Sequence, residues 1–396
     1  MPMMLTGVAT SQSIVDNSQS QSSTVATSQT LNVTDVSGAT GAVTDSTGNA
    51  VTGAVTNGAL SLTSGQSLSA DVTSNSLLNV VTNAGSSVTL NTASTGNTAD
   101  VETVTGGGAV TGSLSQTAGA VNILATNSVS ASGAQAGSFS TGTQAIANSI
   151  GVATDASPVS VTTTQSNAGV TNAEDGGTLT YTPGTAAFSA SAVSNNLTGT
   201  GTGGASQTIN ATQSTTGALT QAGEYVYFGN AQTPQAASTA SDNNISLTNE
   251  SGPLNVVDSQ TNTTYTQAET ALSSYEFGAA TASAYAVGNS VLAANVGPST
   301  SLDNSQSNSG GVVAVSGFVG NNGYDASSSA TAMGNAVTGF ACSDCGGTIS
   351  VSNTQVSTGG VSATSTIDIA ASNRSVTGAA TAVGNTATFY VSKPSH

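Results

Sequence analysis

The side chains that most enzymes use to move protons, stabilise oxyanions or grip metals are almost missing from this chain. It has one histidine (His396), one lysine (Lys393) and one arginine (Arg374), and none of them precedes position 374. Acid–base, electrostatic and metal-assisted catalysis draw on such groups. What remains is hydroxyls and 19 Asp and Glu, among which Glu174 and Asp175 are adjacent. A polysaccharide lyase or hydrolase built on a β-helix would need several Asp and basic residues on one face. The enzyme reading is therefore the weaker alternative, and no catalytic or cofactor-binding residue is assigned. No EF-hand spacing and no GGxGxD repeat marks a calcium site, so no metal site is expected. The two cysteines stand as Cys342-Ser343-Asp344-Cys345. A lone CxxC cannot complete a four-ligand zinc site, and a thioredoxin-type site needs a βαβ context. A local Cys342–Cys345 disulfide in an oxidising compartment is the expectation. The net charge of −17 argues against nucleic acid as a partner, because phosphate binding needs a basic patch.

The elements behind these sparse residues repeat. Segments of alternating apolar and polar residues end in glutamine at Gln19, Gln66, Gln116, Gln165, Gln213, Gln260, Gln306 and Gln355, spaced 46–50 residues apart. A second series centres on asparagine at Asn49, Asn97, Asn148, Asn195, Asn243, Asn289, Asn335 and Asn385, spaced 46–51 residues apart. Each Gln precedes its Asn by 29–32 residues. Low-complexity disorder has no need for two coupled series with phased apolar positions.

Residues two apart on a strand share a face. Val159, Val161 and Gln165 share parity, as do Ile209, Ala211 and Gln213, and Ile349, Val351 and Gln355. The same counting pairs Met333 with Asn335 and Ile146 with Asn148. The amides thus fall on the apolar face, where one left unpaired costs about 1–3 kcal/mol. Identical amides stacked in register satisfy one another, as in cross-β polar ladders. Clusters such as Asn308-Ser309-Gly310-Gly311 and Asn321-Asn322-Gly323 read as turns, and helix signals are weak.

The expected fold is all-β: a β-solenoid (β-helix) of eight repeats of about 48 residues, forming one elongated domain over 1–396. Two coils of about 24 residues per repeat, giving a rod of roughly 75 Å, is the expected layout. A transmembrane barrel would want aromatic girdles, and aromatics make up 4%. Open strand edges at the ends of a solenoid suggest self-polymerisation. No apolar run is long enough for a membrane-spanning helix. The first residues lack a signal-peptide pattern, and a signal peptide missing upstream of this start is expected.

Ser274-Tyr275-Glu276-Phe277-Gly278, the run Ala284-Tyr285-Ala286-Val287-Gly288-Asn289-Ser290, Asn322-Gly323-Tyr324-Asp325-Ala326 and Phe340-Ala341-Cys342-Ser343-Asp344-Cys345 resemble the holdfast anchor family HfaD of stalked bacteria. The resemblance implies a secreted surface protein that anchors the polysaccharide holdfast adhesin to the outer envelope at the pole or stalk. The partners it implies are the extracellular holdfast polysaccharide, sibling holdfast anchor proteins and a curli-secretion-like outer-membrane lipoprotein. It assigns no catalytic residues. For sugar contact, Tyr225, Tyr227, Tyr265, Tyr275, Tyr285 and Tyr324 are the candidate stacking platforms.

Overall fold

A computed structural model describes residues 12–56, 58–104, 108–342 and 347–392. Every regular element among them is a β-strand. In chain order these are β1 (Gln12–Gln21), β2 (Val25–Asp35), β3 (Ala39–Thr56), β4 (Ala59–Leu68), β5 (Val72–Asn83) and β6 (Ser87–Val104). β7 (Val110–Ala118), β8 (Asn122–Gln135), β9 (Phe139–Asp155), β10 (Val159–Asn167), β11 (Val170–Thr202), β12 (Gln207–Thr215) and β13 (Leu219–Asn249) follow. The last are β14 (Leu254–Asn262), β15 (Tyr265–Asn295), β16 (Ser299–Asn308), β17 (Val312–Cys342), β18 (Thr348–Ser357) and β19 (Val361–Ser392).

All strand pairs are parallel and form two sheets. One has eight strands in the order β1-β4-β7-β10-β12-β14-β16-β18. The other runs β19-β17-β15-β13-β11-β8-β5-β2, with β3, β6 and β9 continuing from β11. A circuit of the chain is a short Gln-bearing strand, a turn, a second arm, a corner and a long return arm. From β11 onward the second and return arms are one continuous strand. Parallel partners joined only by crossover around a shared interior are the arrangement of a parallel β-helix.

Hydrogen-bonded neighbours lie one whole repeat apart, as in Gln19↔Gln66 and Gln165↔Gln213. The expected two coils per repeat are thus replaced by one wide coil. Its width follows from the return arm, which must span both the Gln strand and the second arm. The interior divides accordingly. Leu254 and Val256 of the Gln strand pack with Val291 and Ala293 at the end of the return arm. Leu272 of the second arm packs with Ala280 and Ala282 at its start. Between them the walls close on alanines, including Ala284, Ala286, Ala330 and Ala332. Phenylalanines stack near the far corner: Phe139 on Phe188 with ring centroids 5.3 Å apart, and Phe277 edge-on to Phe318 at 4.9 Å.

Around Asn148 and Asn335 the expected parity holds downstream of the Asn but not upstream. Ile146 and Met333 are half-buried, whereas Ala147 and Ala332 are buried, together with Asn148 and Asn335. The pairing passes from Met333 to Asn335 and skips Gly334. A local bulge there turns two successive residues inward.

Candidate functional site

The two amide series form continuous side-chain ladders. Gln66 Nε2 donates to Gln19 Oε1 at 2.8 Å, and the pattern repeats from Gln116 to Gln66, Gln165 to Gln116, Gln213 to Gln165, Gln260 to Gln213, Gln306 to Gln260 and Gln355 to Gln306, at 2.7–3.0 Å. The asparagines run the other way. Asn49 Nδ2 donates to Asn97 Oδ1, then Asn97 to Asn148, Asn148 to Asn195, Asn195 to Asn243, Asn243 to Asn289, Asn289 to Asn335 and Asn335 to Asn385, at 2.7–2.9 Å.

The second N–H of each amide ties the opposite wall. Gln165 Nε2 donates to the carbonyl of Asn196 and Gln260 Nε2 to that of Ser290, in each case the residue after the ladder Asn. Conversely, Asn195 Nδ2 donates to the carbonyl of Ser214 and Asn243 Nδ2 to that of Thr261, in each case the residue after the ladder Gln. This crossed bracing is why the Gln and Asn series keep step along the chain. The backbone carbonyls also fix which amide atom is nitrogen, and hence the direction of each ladder.

Several carboxylates are buried without a basic partner. Asp175 and Glu224 occupy one register position in successive coils and are 2% and 0% exposed. Burial is the main cause that raises both pKa values, Asp175 to about 7; the Asp175 charge raises Glu224 further. Asp242 is raised to about 7 by burial, against the lowering effect of Thr220, Thr266, Asn262 and Ser194. Asp258 is raised to about 8 by burial and then by the Asp303 charge. These groups are absent from the amide pattern, so sequence periodicity does not single them out.

The surface offers grooves at the corner between second arm and return arm. One of about 400 Å³ is lined by Tyr181, Asn230, Gln232, Glu276, Asn322 and Tyr324, among others. Tyr181, Asn230, Glu276 and Asn322 are register partners in four successive coils. They make an outward column at the strand spacing of about 4.8 Å. Asn230 Nδ2 donates to Glu276 Oε2 at 3.0 Å. A second groove, of about 390 Å³, includes Tyr227, Tyr275 and Asp368. Tyr225, Tyr227, Tyr265, Tyr275 and Tyr324 are exposed and Tyr285 is half-buried. Tyr181 is also exposed; its membership of the column is visible only once the register is known. Rings, amides and a carboxylate in one groove can stack on and hydrogen-bond a polyhydroxylated chain.

Cys342 is buried at the end of β17 and is disulfide-bonded, whereas Cys345 lies outside the described residues. Among the described residues, no three of His, Cys, Asp and Glu gather as metal ligands.

A parallel β-helix braced by polar ladders, with a tyrosine-edged groove, defines a repetitive β-solenoid protein. The family model described as HfaD, holdfast attachment protein D, matches residues 34–311, and the chain belongs to that family. The family's role is holdfast attachment, which implies the cell surface or its exterior as the site of action. No curated protein and no solved structure matches the chain.

Proposed function

We propose that this protein is a non-catalytic anchor that fastens the adhesive holdfast polysaccharide to the outer envelope, standing as a single eight-coil rod or as a fibre of such rods. The observation that carries this reading is the outward column Tyr181-Asn230-Glu276-Asn322, closed by Tyr324. Its repeat of about 4.8 Å is close to the length of one sugar residue, so a polysaccharide laid along the stack meets a polar or aromatic group at each step. Sibling anchor proteins and a curli-secretion-like lipoprotein are the partners that would hold the other end, at the pole or stalk.

The test is co-sedimentation of purified protein with isolated holdfast polysaccharide. The parent protein is expected to pellet with the polymer, and the Tyr181→Ala/Tyr324→Ala variant to remain largely soluble. Equal pelleting of the two proteins would remove the groove from the mechanism. Release of oligosaccharides during incubation would instead support the enzymatic alternative.

A further inference from the structure

Four carboxyl groups are buried among the described residues: Asp175, Glu224, Asp242 and Asp258. Asp175 lies in the fourth coil, Glu224 and Asp242 in the fifth and Asp258 in the sixth. The middle of the stack therefore holds all of them. Among the described residues Arg374 is the only basic side chain, and it pairs with Asp325 at 3.0 Å on the surface.

Asp175 and Glu224 are register partners on adjacent strands, and they are unequally provided with donors. The hydroxyls of Thr141 and Thr143 and the backbone N–H groups of Gly176 and Ser189 donate to Asp175. Both oxygens of Glu224 lack a hydrogen-bond partner. The flanking residues in the column, Asn127 before Asp175 and Thr270 after Glu224, are uncharged. Thr270 is bonded in turn to Ser238 of the return arm, and the charge that acts on Glu224 is that of Asp175. A buried carboxylate with several donors tolerates its charge, whereas a second one beside it without donors does not. Glu224 thus keeps its proton, and the acceptor beside that O–H is Asp175. Asp242 meets only the uncharged Ser194, Thr220, Asn262 and Thr266. Asp258 is flanked by Ala211 and Asn304, and the charge that acts on it, Asp303, is of like sign.

We propose that Asp175 and Glu224 share one proton and that, with Asp242 and Asp258, they make the fourth to sixth coils a joint that is closed in acid and loosens in alkali. The folded joint holds protons that the unfolded chain releases above about pH 4. Its stability is fully present below that pH and is lost as pH rises through about 7 for Asp175 and Asp242 and about 8 for Asp258. The ladder amides do not titrate, so the coils outside the joint stay closed. Tyr181, Asn230 and Glu276 of the outward column ride on the same three coils. Release of a polysaccharide held there would follow from loosening; that consequence rests on the proposed function, whereas the joint does not.

The full chain is tested without polysaccharide, by hydrogen exchange and mass spectrometry near pH 5 and near pH 9, with labelling times scaled to the intrinsic rate at each pH. Peptides of β11, β13 and β14 are expected to lose about tenfold or more in protection at the higher pH, relative to β6 and β17 of the second and seventh coils. Glu224→Gln is a neutral mimic of the protonated acid. It should keep the second arms of the fourth and fifth coils protected at both pH values, while β14 still responds. Should that variant fail to fold, Asp175→Asn/Glu224→Thr, which repeats residues of the adjacent coils, gives the same comparison. Protection that is unchanged by pH or lost evenly along the stack, or a Glu224→Gln chain that loosens as the parent does, would overturn the proposal.

Discussion

At the level of the single residue, each interior amide has neighbours above, below and across the coil. Asn195 accepts from Asn148 and donates to Asn243 and to the Ser214 carbonyl. Replacing it with leucine leaves several buried partners unpaired, each costing about 1–3 kcal/mol. Asn195→Leu is therefore expected to lower the denaturation midpoint by several times more than Gln19→Leu, since Gln19 lies in an exposed outer coil. Chemical denaturation of the two variants measures the ratio. Asp258 gives a second expectation, with a definite sign. Its pKa is raised from the usual 3.8 to about 8, so the folded state holds a proton that the unfolded state has released. Its contribution is fully present below pH ~4 and is lost as pH rises to about 8. Asp258 is in register with Asn304, and Asn304 with Asn353, so Asp258→Asn prolongs an existing column. The variant should match the parent near pH 4 and exceed its melting temperature at pH 8. The ladder amides were legible in the sequence because type and spacing repeat together. Asp258, Asp175 and Glu224 were not, because their columns change residue type from coil to coil and burial leaves no mark on composition.

At the level of the element, the return arm explains a motif that spacing alone left unexplained. Ala330 and Ala332 face the narrow middle of the coil. Gly334 follows because a Cβ there would lie 2.5 Å from the Gly384 carbonyl and 2.5 Å from Ser357 Oγ. Only then does Asn335 turn inward. Counting by two across this point misplaces Met333, since a bulge is invisible to strict alternation. The number of coils per repeat was equally hidden, because a strand pattern records which face a residue takes but not how far away its neighbour lies in the chain. Gly334→Val should force the return arms of adjacent coils apart, at a cost of about 1–3 kcal/mol. Gly65→Ala, whose Cβ would meet nothing within 4 Å, should change stability little. Thermal melts of the two variants, followed by circular dichroism, separate a demand for space from a general dislike of losing glycine.

At the level of the whole molecule, the opposed ladders give the stack a polarity. Gln355 spends its N–H groups on Gln306 and the Thr386 carbonyl, so its Oε1 faces outward as an acceptor. Asn385 accepts from Asn335 through Oδ1 and presents Nδ2 as a donor. In the first coil the roles reverse. Asn49 donates to Ser67 and Asn97, leaving Oδ1 to accept, while Gln19 keeps an N–H beyond the one given to the Ala50 carbonyl. Like ends therefore meet with matching donors or matching acceptors, whereas unlike ends continue both ladders. The inward apolar residues of these coils, such as Val15 and Val51 at one end and Val351 and Phe389 at the other, are only partly buried. Copies should thus associate head to tail, and a heterologous contact of this kind stays open-ended. Asn385→Asp replaces the outward donor with a charged acceptor aimed at the acceptor of Asn49 in the next copy. Sedimentation velocity across a concentration series should show long assemblies for the parent and mostly monomer for Asn385→Asp, with matching circular dichroism spectra. Closed dimers alone, or assemblies unaffected by the substitution, would mean that the coil ends do not read one another through their amides.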